Sequence, residues 1–407
     1  MTLNTRTKSA QRPCPISRER EVMLLHHQRF LLPNGNPLPA EYDVVWSPRA
    51  GFAYADTTAD QATYDRYYAD FSKYEDNTTS TGGAETGSDA ARLADAAGDI
   101  ARIIPDREVG ILDMGCANGG LLMALQRLGY RSLMGVDPSR ACVNAVRSKP
   151  GLCAEVGGLF DLPALPQAFD FIILSHVLEH VCDLRGAVQV LHASLADKGI
   201  VYCEVPDATR YREFVFAPFQ DFNTEHINHF SQISLENLFR NQGFQTVSMG
   251  ARMIRTSPQC PYPVIFGFFR ESSAAQGPAI MQGDDHFLRS LQDYIAQSSA
   301  KLARIEVLIE PITQARTPLV VWGTGQLTMK LLAETSLRRA NLVAFVDGNP
   351  INYGKSLLGR AIRAPHGLHA LKSDTVILIA SLLHQEAITR KIRGELGLTN
   401  KIIVLND

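Results

Sequence analysis

Two short stretches concentrate the side chains best suited to moving a proton. SHVLEHV carries His176 and His180, and FNTEHINHFS packs Glu225, His226, Asn228, His229 and Ser231 into seven residues. Imidazole titrates close to neutral pH, so either group can take a proton from a reacting atom and return it. The bland reading of the second stretch is a polar loop with a helix cap at Ser231 or Ser234. Two histidines and a glutamate exceed what capping needs. A metal held by Glu225, His226 and His229 would lack the spacing of a helical ligand pair, and no metal is expected.

A third stretch, EVGILDMGCANGGLL, reads as a strand running into a cramped turn with Gly115, Ala117 and Gly119, followed by a helix from about residue 121. Small residues let the chain reverse sharply and lie against a ligand. Asp113 ends that strand, where ligands of open α/β sheets bind. Asp137, in LMGVDPS about twenty residues on, suits a ribose diol, and Asp161, in GGLFDLP, could accept a hydrogen bond from an adenine amino group. Pro138, Leu162, Ser175 and His176, beside these aspartates or at the end of the fourth strand, complete the expected cofactor set. A nicotinamide dehydrogenase is the rival, but Gly115, Ala117 and Gly120 spell its Gly-x-Gly-x-x-Gly fingerprint imperfectly.

The elements that must position these residues follow from pattern. Expected strands at 110–114, 132–136, 169–174, 199–204, 245–249 and 264–269, alternating with helical periodicity, predict a Rossmann-like α/β domain over residues 76–275, with 245–269 as an antiparallel hairpin. Residues 1–75 read as a small N-terminal domain with apolar patches at 22–25, 30–32 and 42–46, ending in the tyrosine-rich run YDRYYADFSKYED. Apolar residues spaced by threes and fours from 284 to 309 predict a long helix stopped by Pro311, inside a helical connector over 276–315; a coiled-coil contact is the alternative.

Residues 316–407 predict a second Rossmann-like α/β domain. There WGTGQLT follows a strand and opens a helix, so Gly323 and Gly325 could admit a phosphate, although Thr328 replaces the third glycine. Asp347 closes the next strand, and Ser381 and His384 follow a later one. A nucleotide site and a degenerate fold kept for packing or dimerisation both stand.

Composition bounds the partners. At 407 residues two or three domains are expected, and a net charge of −2 offers no global field for nucleic acid or anionic lipid, so a small molecule is the default partner. Seven scattered cysteines without a Cys-x-x-Cys pair argue against a disulfide framework and a four-cysteine zinc site. The polar, basic N-terminus lacks the apolar run of a signal peptide, so a cytoplasmic location is expected.

The ordered set DMGCANG, Asp137, Asp161 and FDFIILSHVLEHV resembles the class I S-adenosylmethionine (SAM)-dependent methyltransferases, with Ala117 in place of one common glycine. The resemblance covers about 160 residues. It implies SAM as cofactor, with Asp113, Gly115 and Gly119 at its methionine end, Asp137 at the ribose and Asp161 at the adenine. The tyrosine-rich segment, the Glu225-His226 to Phe230-Ser231 loop and the C-terminal α/β domain are together similar to the sugar-nucleotide C-methyltransferases, which methylate a carbon beside a deoxysugar ketone. That resemblance implies His226 as base, His180 and Glu225 as helpers with His229 nearby, and Tyr68 or Tyr74 facing the sugar. The family's N-terminal zinc site has lost its pattern: Cys14 stands alone, with His26 and His27 as poor substitutes. The expectation is therefore a three-part enzyme, monomer or homodimer, with its acceptor between the lobes. An O- or N-methyltransferase of another small metabolite, or a non-catalytic sugar-nucleotide-binding protein, is the alternative.

Overall fold

The computed structural model describes residues 6–71, 87–164, 168–257, 260–272, 281, 283–368 and 371–405. The chain forms two compact units rather than four successive pieces: residues 1–25, 43–211 and 225–291 make the first, and 26–42, 212–224 and 292–407 the second.

N-terminal strands β1 (Thr7–Ser9), β2 (Glu21–Arg29), β3 (Glu41–Ser47) and β4 (Phe52–Asp56) form an antiparallel sheet. The expected strand at 30–32 is absent, and the tyrosine-rich run becomes helix α1 (Gln61–Phe71). Trp46 is buried edge-on against Phe287, at 5.4 Å between ring centres, which gives these strands apolar packing. Cys14 is likewise buried in apolar surroundings.

The centre of the first unit is a seven-stranded sheet. It uses β5 (Ile111–Met114), β6 (Leu133–Asp137), β7 (Cys153–Val156), β8 (Phe169–Ser175), β9 (Leu195–Pro206), β11 (Phe244–Ser257) and β12 (Cys260–Glu271), in the order β11-β12-β9-β8-β5-β6-β7. Strands β5 to β9 run parallel, and the β11–β12 hairpin closes the edge antiparallel, longer at both ends than expected. ILDM and FIIL are continuous apolar runs because both faces of a parallel sheet are covered. Leu112, Ile172 and Leu174 meet Leu184, Val188 and Leu191 of α5 (Leu184–Ser194), with Leu235 and Leu238 of α6 (Gln232–Arg240), on one face. Ile111, Phe171 and Ile173 meet α2 (Gly87–Ile103), α3 (Gly120–Arg127) and α4 (Arg140–Arg147) on the other. The two-residue strand β10 (Asn228–His229) pairs with β4, and Ser231 and Ser234 form a reciprocal cap on α6.

In the second unit β13 (Leu319–Trp322), β14 (Leu342–Val346), β15 (Ser356–Leu357), β16 (Arg360–Arg363), β17 (Val376–Ile379) and β18 (Ile402–Val404) give the order β15-β16-β14-β13-β17-β18. Helix α7 (Asp285–Gln314) continues three residues past Pro311 instead of ending there. Segments 26–42 and 212–224 join this unit through a buried cation. Lys330 of α8 (Gln326–Glu334) donates to Gln28 Oε1 at 2.6 Å, pairs with Glu334 at 3.1 Å and lies 4.3 Å from the Phe219 ring centre. Gln28 Nε2 in turn donates to the Phe222 carbonyl at 2.5 Å, and His26 stacks on Phe219 at 4.1 Å. Burial, with the Lys330 charge adding to it, pushes the His26 pKa down to about 3, so this ring is a neutral packing group.

Gly119 holds the start of α3 in a left-handed conformation, φ 77°, and an added Cβ would lie 2.9 Å from Val146 Cγ2. Gly119→Ala should therefore cost about 1–2 kcal/mol from backbone strain alone. Pairing it with Val146→Ala should not recover the loss, which urea unfolding of the single and double variants will measure.

Candidate active site

The site is one cavity of about 580 Å³ within the first unit, at the C-terminal ends of its parallel strands. Among the expected cofactor residues, Asp113, Gly115, Ala117, Asp137, Pro138, Asp161, Ser175 and His176 line it; among the expected catalytic ones, Tyr68, His180 and His226 do.

The turn after β5 is shaped for close approach. Gly115 adopts φ 76° and Ala117 φ 46°, and a Cβ on Gly115 would lie 2.9 Å from Val177 Cγ2. The carboxylate of Asp137 fixes this turn, accepting from Ala117 N–H at 2.9 Å and from Ser139 N–H at 2.8 Å. Asp161 accepts from Gly158 N–H at 2.7 Å. Burial, reinforced by the neighbouring Asp137 charge, pushes the Asp113 pKa up to about 8 against the opposing Arg92 charge.

At the other wall a proton-handling group gathers. His180 Nδ1 lies 3.0 Å from the Glu225 carbonyl and 2.8 Å from Tyr68 Oη, and His226 packs edge-on to His180 at 5.0 Å between centres. A carbonyl only accepts, so the tautomer satisfying it carries the proton on Nδ1 and leaves a lone pair on Nε2. Tyr67 donates to Glu225 Oε1 at 3.3 Å.

Beneath lies a charged network that the sequence pattern did not single out. His176, held at φ 57°, places Nδ1 3.1 Å from Glu179 Oε1 and Nε2 3.4 Å from Glu204 Oε1, while Glu204 also pairs with Arg252 and accepts from Tyr202 at 2.8 Å. Burial alone would lower the His176 pKa. Its hydrogen bonds to the two glutamates outweigh that and hold it at about 9, so the ring is a cation at neutral pH. Glu204, despite burial, is held at about 2 by His176 and Arg252. Glu179 sits inside the SHVLEHV stretch, between its two histidines. Arg252 and the cavity-lining Arg92, Ile254, Thr256 and Tyr262 had no local signal, because only the sheet brings them there.

Four expected site residues do not line the cavity. Gly119 serves the helix start, and Leu162 is buried in the core with Leu159 and Leu184. His229 sits in β10 opposite Ala53, edge-on to Tyr211 at 6.0 Å, and burial followed by the Arg12 charge drives its pKa to about 3, so it cannot serve as a base near pH 7. Glu225 is buried behind the histidines and presents its carbonyl to His180. Tyr74 lies outside the described residues. Among the residues that could hold a metal, Glu179, His180 and His226 converge, not Glu225, His226 and His229.

The second unit repeats the turn. Gly323, φ 101°, donates to Val346 O at 2.8 Å as Gly115 does to Val136 O at 2.8 Å. Asp347 accepts from Thr324 N–H at 2.9 Å and Asn349 N–H at 2.8 Å. Thr328 ties its hydroxyl to Gly323 O at 2.6 Å; Ser381 borders Gly323, and His384 is exposed before α9 (Gln385–Arg390).

The raised pKa of Asp113 makes ligand binding pH-dependent. Below about pH 8 the carboxyl carries a proton, which a ligand ammonium placed against it would expel. Affinity for S-adenosylhomocysteine should thus rise with pH from about 6 to 8, with proton release visible as a dependence of calorimetric heat on buffer ionisation enthalpy. Asp113→Asn should flatten both.

Comparison with known proteins places this cavity. Residues 88–249 match the family model described as a methyltransferase domain, and residues 316–404 match one described as C2185-like, N-terminal. A tRNA U34 carboxymethyltransferase of Campylobacter hominis is 32% identical over 99 residues, covering 23% of this chain and 35% of that protein. A ubiquinone biosynthesis O-methyltransferase of Methylocella silvestris is 31% identical over 112 residues, 26% of this chain and 43% of that one. The chain therefore spans less than half the length of these curated relatives. A solved 1,6-didemethyltoxoflavin-N1-methyltransferase of Burkholderia thailandensis superposes with TM-score 0.40 and 16% identity over 55% of this chain and 95% of that one. Among the described residues no helix is long and apolar enough to cross a membrane. Residues 88–249 thus carry a methyltransferase domain.

Proposed function

We propose that the chain transfers the SAM methyl group to a small molecule whose reacting atom must first lose a proton, and that the acceptor is a keto-deoxysugar nucleotide methylated at the carbon beside its ketone. One observation carries the reading: a single cavity has the glycine turn with Asp113, Asp137 and Asp161 along one part and Tyr68, His180 and His226 along another. Its volume of about 580 Å³ falls within the range of about 300–1,000 Å³ usual for small-ligand sites.

In this reading Asp113 faces the methionine ammonium, Asp137 the ribose hydroxyls and Asp161 the adenine. The sulfonium methyl then points toward the histidines. A proton beside a ketone is too weakly acidic to leave unaided, so its removal needs a base and a hydrogen-bond donor for the oxygen that becomes negative. His226, or the Nε2 lone pair of His180, takes the proton; Tyr68 donates to the oxyanion. The resulting enediolate carbon attacks the methyl group, and S-adenosylhomocysteine leaves. The tyrosine-rich helix and the Glu225-His226 loop support a sugar nucleotide over other acceptors, and the net charge of −2 supports a small molecule over a polyanion.

The test is incubation with SAM and a panel of keto-sugar nucleotides, with the added methyl located by mass spectrometry and NMR. His226→Ala should lower turnover by about 10²–10⁴-fold while SAM affinity stays within about twofold. Asp137→Ala should weaken SAM binding by about tenfold or more, the loss of roughly one charge-assisted hydrogen-bonding partner. Normal turnover by His226→Ala, or methylation of no keto-sugar nucleotide, would remove the acceptor assignment. Exchange of solvent deuterium beside the ketone reports the base separately.

A further inference from the structure

We infer that Glu179, His180 and His226 form a binding site for one divalent first-row transition ion at the acceptor end of the cavity. The inference rests on reading this cavity as the methyl-transfer site. Three observations lead to it. One donor atom from each side chain lies within 4.8 Å of the other two. An ion bound at about 2.0–2.2 Å from nitrogen and oxygen donors holds its ligands within about 4.4 Å of one another, so closure needs only small side-chain movement.

The carboxylate is the second observation. Glu179 is 1% exposed and lines the cavity, yet its Oε2 has no hydrogen-bond partner. A buried carboxylate oxygen left unpaired is costly, and a cation there would relieve it. His176 engages only the other oxygen, Oε1, at 3.1 Å. Its positive charge opposes a nearby cation, but that charge is shared with Glu204, 3.4 Å from its Nε2.

Ring orientation is the third. His180 commits Nδ1 to the Glu225 carbonyl at 3.0 Å and Tyr68 at 2.8 Å, so Nε2 carries the lone pair and lies 3.9 Å from Glu179 Oε1. A histidine ligand fixed through its other nitrogen by a backbone carbonyl is the usual supporting arrangement of a metal site. Two imidazoles and one carboxylate suit Zn²⁺, Mn²⁺ or Co²⁺ better than Mg²⁺ or Ca²⁺, which prefer all-oxygen sets. Three protein ligands leave positions open for a water or an acceptor oxygen, which the ion would polarise; with both imidazole lone pairs on the ion, a metal-bound hydroxide would take the acceptor proton in place of His226 or His180.

The test uses the full chain, freed of metal by chelation and dialysed against Mn²⁺ or Zn²⁺ alone, with bound metal measured per chain. About one ion per chain is expected, with affinity falling by tenfold or more in Glu179→Gln and in His226→Gln and staying unchanged in His192→Gln, whose ring pairs with Glu271 elsewhere. S-adenosylhomocysteine binding, followed by calorimetry in parallel, should persist in all three variants, which shows that they are folded. Failure to bind it in the parent chain would sink the methyl-transfer reading instead. No bound ion, or an ion retained at full affinity by both Glu179→Gln and His226→Gln, overturns the metal site. Should Glu179→Gln not fold, His226→Gln decides alone, because that ring is only partly buried.

Discussion

The arrangement hinges on the Asp137 carboxylate at the end of β6. It reaches across to the turn after β5 and accepts from Ala117 N–H, and it closes its own strand end by accepting from Ser139 N–H. Without it the Ala117 N–H, in a turn where Ala117 holds φ 46°, and the Ser139 N–H after β6 would both need other partners. Burial penalises the charged form of Asp137, and these two N–H groups oppose that penalty. A carboxylate has about four acceptor positions, so two bonds to backbone leave capacity in a residue that also lines the cavity. One side chain thereby shapes the turn and keeps room for a ligand hydroxyl.

Charge around the cavity is balanced by pairing rather than by exposure. Arg252, Glu204, His176 and Glu179 alternate in sign from the β11–β12 hairpin to the cavity wall, each held by the next. The result is a chain of ion pairs that ends in the Glu179 carboxylate, 3.9 Å from His180 Nε2. The pKa of Asp113, by contrast, is raised by its burial and then by the Asp137 charge, with Arg92 opposing only in part. Asp113 at the end of β5 and Glu204 in β9 are thus shifted in opposite directions by what packs alongside them.

The same clamp recurs in the second unit, where Asp347 bridges Thr324 and Asn349. There, however, Thr324 also adds its hydroxyl to Asp347 Oδ2, and Thr328 ties its hydroxyl to the carbonyl of Gly323. More of the carboxylate's acceptor capacity is spent internally than at Asp137. Equal backbone geometry therefore supports different ligand capacity, and the glycine turn by itself does not define a site.

Much of the α/β order was legible in the chain. Apolar runs such as ILDM and FDFIILS, the small-residue turn and an aspartate twenty residues on are local patterns with local causes: strand burial, sharp reversal and carboxylate placement at strand ends. Pro311 does not end its helix, which runs on to Gln314 despite the backbone bond that proline removes. The tyrosine-rich run carries no apolar face clear enough to mark its helix, Gln61–Phe71. What only the tertiary structure decided was which polar residues share the cavity. His226 and His229 are three residues apart with like surroundings in sequence, yet one lines the site and the other is buried in β10 as a neutral ring. Glu179, Glu204 and Arg252 became one network for the same reason. Periodicity reports which face of an element is apolar, whereas the partner of a buried charge is set by strands that meet only after the chain has folded.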